Sequence, residues 1–219
     1  MPGVERLAVE ARASTLAVAM GGVRHSSGRQ TLQAIEAGLT DGRVVAYLGP
    51  GALTPAEPDR HDRSLGALHD YLASLRALPL IVHDRYDELA QRAFAVRGSW
   101  SDRGAVQGAS RGSHFEWRHP QGDGETPIPE PLRSLGEGRH FLFLGCRFAR
   151  ESGRMFVRRM LQHACAPHWA VLDEPPTAGE ASFMAEQNIE GIDLKLSDFV
   201  AALTELRQEE QAQLLLASW

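Results

Sequence analysis

Three short segments of this chain carry residue types that could do chemistry. The first is Gly49-Pro50-Gly51-Ala52. Glycine admits positive φ and has no Cβ, so a phosphate can approach the N–H groups of such a turn. A following helix N-terminus would add positive potential for the same anion. Pro50 removes one donor from that cradle, and an ordinary tight turn has the same composition. The second is His83-Asp84-Arg85-Tyr86-Asp87, which sets two carboxylates around a permanent cation. Arginine donates and never accepts, so Arg85 would make a bidentate contact with phosphate or carboxylate. The third is His114 and His119, with Trp117 between them. Trp117 could stack on a planar ring or simply pack in a loop.

Other groupings have plainer readings. His163, Cys165 and His168 are soft donors, but spacings of two and three do not share a helix face and match no common metal pattern. Glu57, Asp59 and Asp62 beside His61 read as a polar loop. Arg150, Arg154 and Arg158 recur every four residues and would line one helix face, solvated or open to an acidic partner.

The elements that must position these residues follow from apolar patterning. Residues 43–48, 77–82, 140–144 and 169–172 are apolar runs without polar alternation, the mark of strands buried on both faces. A shorter strand is expected over 191–196, and a further one at 114–118 inside a long stretch, 96–138, rich in Gly, Pro, Ser and charge. Helices are expected over 4–20, 28–38 (capped by Ser26 or Ser27), 64–77, 86–94, 151–163, 178–188 and 198–216, the last capped by Ser197. Strands each followed by a helix imply an α/β fold with a doubly wound, Rossmann-like parallel sheet and helices on both faces. Ligands of such folds bind beyond the carboxyl ends of the strands, where the glycine turn, the 83–87 segment, Gly145 and Asp173-Glu174 all fall. The organisation expected is an N-terminal helical extension, 1–40, packed on the core, followed by the dinucleotide-binding domain, 41–219.

Composition narrows the partners. The chain has 219 residues and a net charge of -5, which disfavours the phosphate backbone of nucleic acid as main partner. Its two cysteines, Cys146 and Cys165, exclude a disulfide framework or a four-cysteine zinc site, so no metal is expected. No apolar run reaches the ~20 residues of a membrane helix, and acidic residues among the first basic ones argue against a leader. The expected compartment is the cytoplasm. Lys195 is the only lysine, an arginine bias that suggests a GC-rich, bacterial genome. The C-terminal LLLASW is a helix end that packs on the core or forms a self-association surface, so a homo-oligomer or protein partner is open.

In order along 43–206, four segments together resemble the sirtuin-like family: "VVAYLGPGAL", "LPLIVHDRYDELAQRAF", "HFLFLGCRFAR" and the run from "WAVLDEP" to "GIDLKLSDFVAAL". The resemblance implies NAD or ADP-ribose as ligand, and cleavage of the nicotinamide–ribose bond with acyl-lysine or water as acceptor. It implies that Gly49, Gly51 and Ala52 lie on the phosphates and that Tyr86 and Asp87 brace the nicotinamide pocket. Gly145 would approach the adenine-side ribose, and Asp173 or Glu174 would accept from a ribose hydroxyl. His119 is the first candidate for the catalytic histidine and His114 the second. The family's catalytic asparagine falls on Arg85, which disfavours turnover by the family mechanism and favours an anionic ligand lacking nicotinamide; Asp84 could take over the role of positioning water. Gly51 and Arg85 stand close in the chain, so the subdomain usually inserted between them is nearly absent, and protein deacylation is not expected. Two readings remain: an NAD hydrolase with His119 and Asp84 at its centre, controlled by an outside sensor or oligomeric switch, and a binding or interaction module without turnover.

Overall fold

In the computed structural model, the described residues are 26–52, 67–75, 80–83, 113–116, 133–134, 136–172 and 174–217. They form helix α1 (Ser26–Thr40), strand β1 (Val44–Leu48), a single 3-10 turn (Pro50–Ala52), helix α2 (Ala67–Ser74), strands β2 (Leu80–His83), β3 (Ser113–Glu116) and β4 (His140–Leu144), helix α3 (Glu151–Leu161), strand β5 (His168–Val171), helix α4 (Ala178–Glu186), strand β6 (Ile189–Ile192) and helix α5 (Leu196–Ala217). The strands make one six-stranded sheet in the order β3-β2-β1-β4-β5-β6. Every pairing in it is parallel. This is the doubly wound α/β fold that the apolar runs imply.

The uninterrupted burial of β1 hides a strict alternation. Val44, Ala46 and Leu48 join Leu142, Leu144, Trp169 and Val171 in one core, while Val45 and Tyr47 join Phe141, Phe143 and Ala170 in another. The two sets point to opposite faces because strand side chains alternate. The first face is covered by α1, α2 and α5 through Leu32, Ile35, Leu39, Leu68, Leu72, Phe199, Val200 and Leu203. The second is covered by α3 and α4 through Phe156, Val157, Met160, Phe183 and Met184. Burying one such side chain is worth about 1.5–3 kcal/mol. Gly38 lets α1 lie close to the sheet, since a Cβ there would sit 2.5 Å from Val44 Cγ2.

The strand expected at 114–118 is β3, and it is part of the sheet, paired with β2 at its edge. The fifth expected strand lies two residues earlier than its apolar residues suggest. Asn188, at φ 52, ends the segment after α4. β6 starts at once after it, with Ile189 buried and Glu190 and Gly191 exposed at the sheet edge. Leu194 and Leu196 instead pack against the first core from the turn and the start of α5. Ser197 does not cap α5: the Phe199 N–H already bonds to Lys195 O, so Ser197 stands inside the first turn. Ser26 and Ser27 likewise lie within α1 rather than before it. The helices expected over 4–20 and 86–94 lie outside the described residues.

Candidate functional site

The strand order reverses between β1 and β4. In an open parallel sheet, the turns leaving two such strands diverge to opposite faces and leave a crevice beyond their carboxyl ends. The turns after β1 and β4 meet there through main-chain hydrogen bonds. Gly49 N–H donates to Leu144 O at 2.9 Å, Gly51 N–H to Gly145 O at 2.9 Å and Ala52 N–H to Gly49 O at 3.0 Å. Gly145 N–H reaches across to Val171 O at 3.0 Å, so the ends of β1, β4 and β5 are tied together.

Two glycines make this junction possible. Gly145 has φ +61, and a Cβ on it would run into Ala52 N and Gly51 C. A Cβ on Gly49 would stand 2.6 Å from Gly145 O and 2.7 Å from Cys146 Cα. Real contacts never come so close, so the glycines serve the mutual approach of two backbones. The N–H groups of Gly49, Gly51 and Ala52 all have acceptors inside the protein, and Pro50 has none to offer. The turn is a main-chain junction, not an open row of donors. Cys146 lies beneath it, 4% exposed, with its Sγ 3.7 Å from Leu144 O.

Beside this junction stands a charged cluster. Arg147 donates from Nε to Glu180 Oε1 at 3.0 Å and from Nη2 to Glu180 Oε2 at 3.0 Å. Its Nη1 donates to Glu174 Oε2 at 2.8 Å. Glu180 is buried at 1% exposure by α4, whose first turn it also closes. Thr177 Oγ1 accepts from Glu180 N–H, and Glu180 Oε2 accepts from Thr177 N–H, a capping box. Burial alone would raise the Glu180 pKa, but the bonds from Arg147 and Thr177 outweigh it and hold the carboxyl at about 2. The Arg147–Glu180 pair therefore stays ionised across the ordinary pH range.

Gly49, Gly51, Ala52 and Gly145 thus come together at one point. Glu174, the alternative acceptor for a ribose hydroxyl, is engaged by Arg147. Asp84, Arg85, Tyr86, Asp87, His119 and Asp173 lie outside the described residues, as do Glu57, Asp59, His61, Asp62 and Trp117. His114 lies on β3, which pairs with β2 through Ile81. Arg147 and Glu180 were missed in the sequence reading. The Thr177-x-x-Glu180 spacing is the signal that could have found the second, but nothing near Arg147 in sequence announces its partner.

The arginine face of α3 is taken up by α4. Arg154 and Arg158 lie over the Phe183 ring at 5.7 and 5.2 Å, and Arg158 pairs with Glu151 at 2.9 Å and Glu186 at 3.6 Å. His163, Cys165 and His168 do not converge: His168 is buried at the start of β5, whereas His163 and Cys165 are exposed. Among the described residues no group of three His, Cys, Asp or Glu could hold a metal ion. Among them, too, no helix is long and apolar enough to cross a membrane.

A doubly wound parallel sheet with a glycine junction at its switch point defines the class as a Rossmann-like α/β fold. The sequence profile of the family described as SIR2-like domain matches residues 55–192, and the chain belongs to that family. The match spans α2 to β6; the glycine turn after β1 lies just before it. No curated protein matches the chain.

Proposed function

We propose that this SIR2-like chain binds NAD or ADP-ribose in the crevice beyond β1 and β4, and that it cleaves the nicotinamide–ribose bond with water as acceptor. The observation that carries the binding reading is the Gly49–Gly145 junction. It brings two glycine turns together at the point where the sheet reverses, which is where a pyrophosphate comes close to main chain. Membership of the SIR2-like family supports the choice of ligand. In this reading Gly49, Gly51, Ala52 and Gly145 form that junction, and Tyr86 and Asp87 line the nicotinamide side. Asp173 meets a ribose hydroxyl. His119 draws a proton as general base and Asp84 positions the water.

A second reading, binding without turnover, is supported by Arg85. A guanidinium beside a departing cationic pyridinium opposes nicotinamide loss but suits the phosphates of ADP-ribose. Calorimetric titration of NAD and of ADP-ribose, with nicotinamide followed in the same samples, separates the two. Nicotinamide release that disappears in His119→Ala supports hydrolysis. Tight ADP-ribose binding with no release supports the binding module. Absence of binding by both ligands would overturn the dinucleotide reading altogether.

A further inference from the structure

The last turns of α5 run clear of the body of the protein. Leu206 is the final core residue of that helix, and residues 208–217 are exposed throughout. That end is about 15 Å of helix. It carries Leu214, Leu215 and Leu216, 66%, 65% and 78% exposed. Large apolar side chains grouped at one place on a polar surface mark a docking surface. Leading up to them, Gln208, Glu209, Glu210, Gln211 and Gln213 supply two negative charges and no positive one. An occupant that fits is apolar on one side and carries no excess of acid.

The path of the chain points to that occupant. Arg29, near the start of α1, bonds to Glu209 at 2.7 Å, so the chain enters α1 beside the exposed end of α5. Leu214 follows Glu209 by five residues, about 7.5 Å along the axis. Residues 21–25 join Ser26 to the segment 4–20 and span at most about 18 Å, more than the distance along α5 from Glu209 to Leu214. Within 4–20, Val4, Leu7, Ala8, Ala11 and Val18 fall on one face at helical spacing. Over residues 1–25, Arg6, Arg12 and Arg24 outnumber Glu5 and Glu10, which complements Glu209 and Glu210. A second copy is the poorer fit. Two α5 ends laid together would set Glu209 and Glu210 of one against those of the other, a like-charge contact.

We propose that residues 4–20 of the same chain dock on Leu214, Leu215 and Leu216 and form an intramolecular cover for the end of α5. The cover stands apart from the dinucleotide reading, because none of its residues belongs to the crevice beyond β1 and β4. Hydrogen exchange of the full chain, read by mass spectrometry at low and high protein concentration, tests it together with light scattering. The chain scatters as one copy, and residues 211–217 exchange about tenfold slower than in a free peptide at both concentrations. In Leu7→Asp that protection is lost, while β1 and β4 keep theirs. In Leu214→Gln, a change outside both cores, residues 4–20 lose protection in turn. Leu214→Gln therefore decides the matter if Leu7→Asp fails to fold. Free-peptide exchange of 211–217 in the natural chain overturns the proposal, because nothing then covers them. Protection that grows with concentration, alongside the mass of two copies, overturns it in favour of a second copy. So does Leu7→Asp with 211–217 still protected, or Leu214→Gln with 4–20 unchanged, sink it, since the two segments then do not touch.

Discussion

The two edges of the sheet treat polar groups in opposite ways. At the carboxyl edge, Arg147 is clamped on one side by a buried carboxylate and on the other by an exposed one. At the amino edge, the side chains of His168, His140 and Arg139 each meet a main-chain partner. Buried His168 accepts the Phe141 N–H on Nδ1 at 3.1 Å, His140 Nδ1–H donates to Pro167 O at 2.9 Å, and Arg139 Nε donates to Gly42 O at 3.0 Å. Burial lowers the His168 pKa, with the nearby His140 charge adding to it, to about 4. The amino edge thus holds buried His168 and the Arg139 guanidinium against main chain, while the carboxyl edge holds the Arg147 guanidinium against carboxylates. A polar side chain near a strand end is read as a plug or as a binding group by asking how easily its partner can be replaced.

The sharpest way to test this contrast is at the glycines, because one lies in the carboxyl-edge junction and another, equally left-handed, does not. Gly145 and Gly138 have φ +61 and +67, but a Cβ on Gly138 meets nothing within 4 Å. Gly138→Ala carries only the left-handed strain, about 1 kcal/mol. Gly145→Ala adds a collision with the backbone of Gly51 and Ala52, for a loss of about 4 kcal/mol. Urea unfolding of both variants checks the difference. Equal losses would mean that the β1–β4 junction yields easily and does not hold the crevice in shape.

Acid should act next, and at the amino edge first. The folded His168 pKa of about 4 lies below the ordinary 6.5, so folding favours the neutral ring. The stability tied to this group is complete above pH 6.5 and is lost as pH falls toward 4, by up to about 3 kcal/mol. His168→Phe should flatten that part of the curve while lowering stability at neutral pH, since Phe141 N–H loses its acceptor. Unchanged pH dependence in the variant would remove His168 as the acid-sensitive plug.

Glu180 comes third. Its folded pKa of about 2 lies below the ordinary 4.5, so folding favours the charged form. Its contribution is present above pH 4.5 and is lost as pH falls through about 2, after His168 has already titrated. Glu180→Gln keeps the shape, removes the charge that clamps Arg147 and weakens the capping box. About 2 kcal/mol is expected, below the full value for a buried pair because Arg147 is 38% exposed. Thermal unfolding at pH 7 measures it, and a loss below about 0.5 kcal/mol would show that Arg147 is not held in place by this residue.

How far the sequence carries can be seen from the same two edges. The central strands β1 and β4 are legible because both faces are buried, so their apolar runs are unbroken. The glycines at their ends are legible because a strand must turn there. β6 is misplaced by two residues because an edge strand with exposed Glu190 and Gly191 has little apolar signal, while Leu194 and Leu196, which have it, serve the turn and α5. The partnership of Arg147 with Glu174 and Glu180 spans 27 and 33 positions, and no local pattern encodes it. His168 was considered as a soft ligand, but its role as an acceptor for a strand N–H depends on β4 lying beside it, a contact that spacing does not reveal.

The smallest effect concerns an exposed ion pair between the first and last helices described. Arg29 on α1 meets Glu209 on α5 at 2.7 Å, with the two side chains 40% and 47% exposed. By distance alone it looks stronger than Arg147–Glu174. Among the described residues it has no buried carboxylate behind it, however, and solvent and salt screen the charge. Arg29→Gln should therefore change stability by less than about 1 kcal/mol, and the change should vanish at high salt. A large, salt-resistant loss in this variant would show that α1 and α5 are clamped by charge, and that a short ion pair at the surface of this fold needs no buried partner to matter.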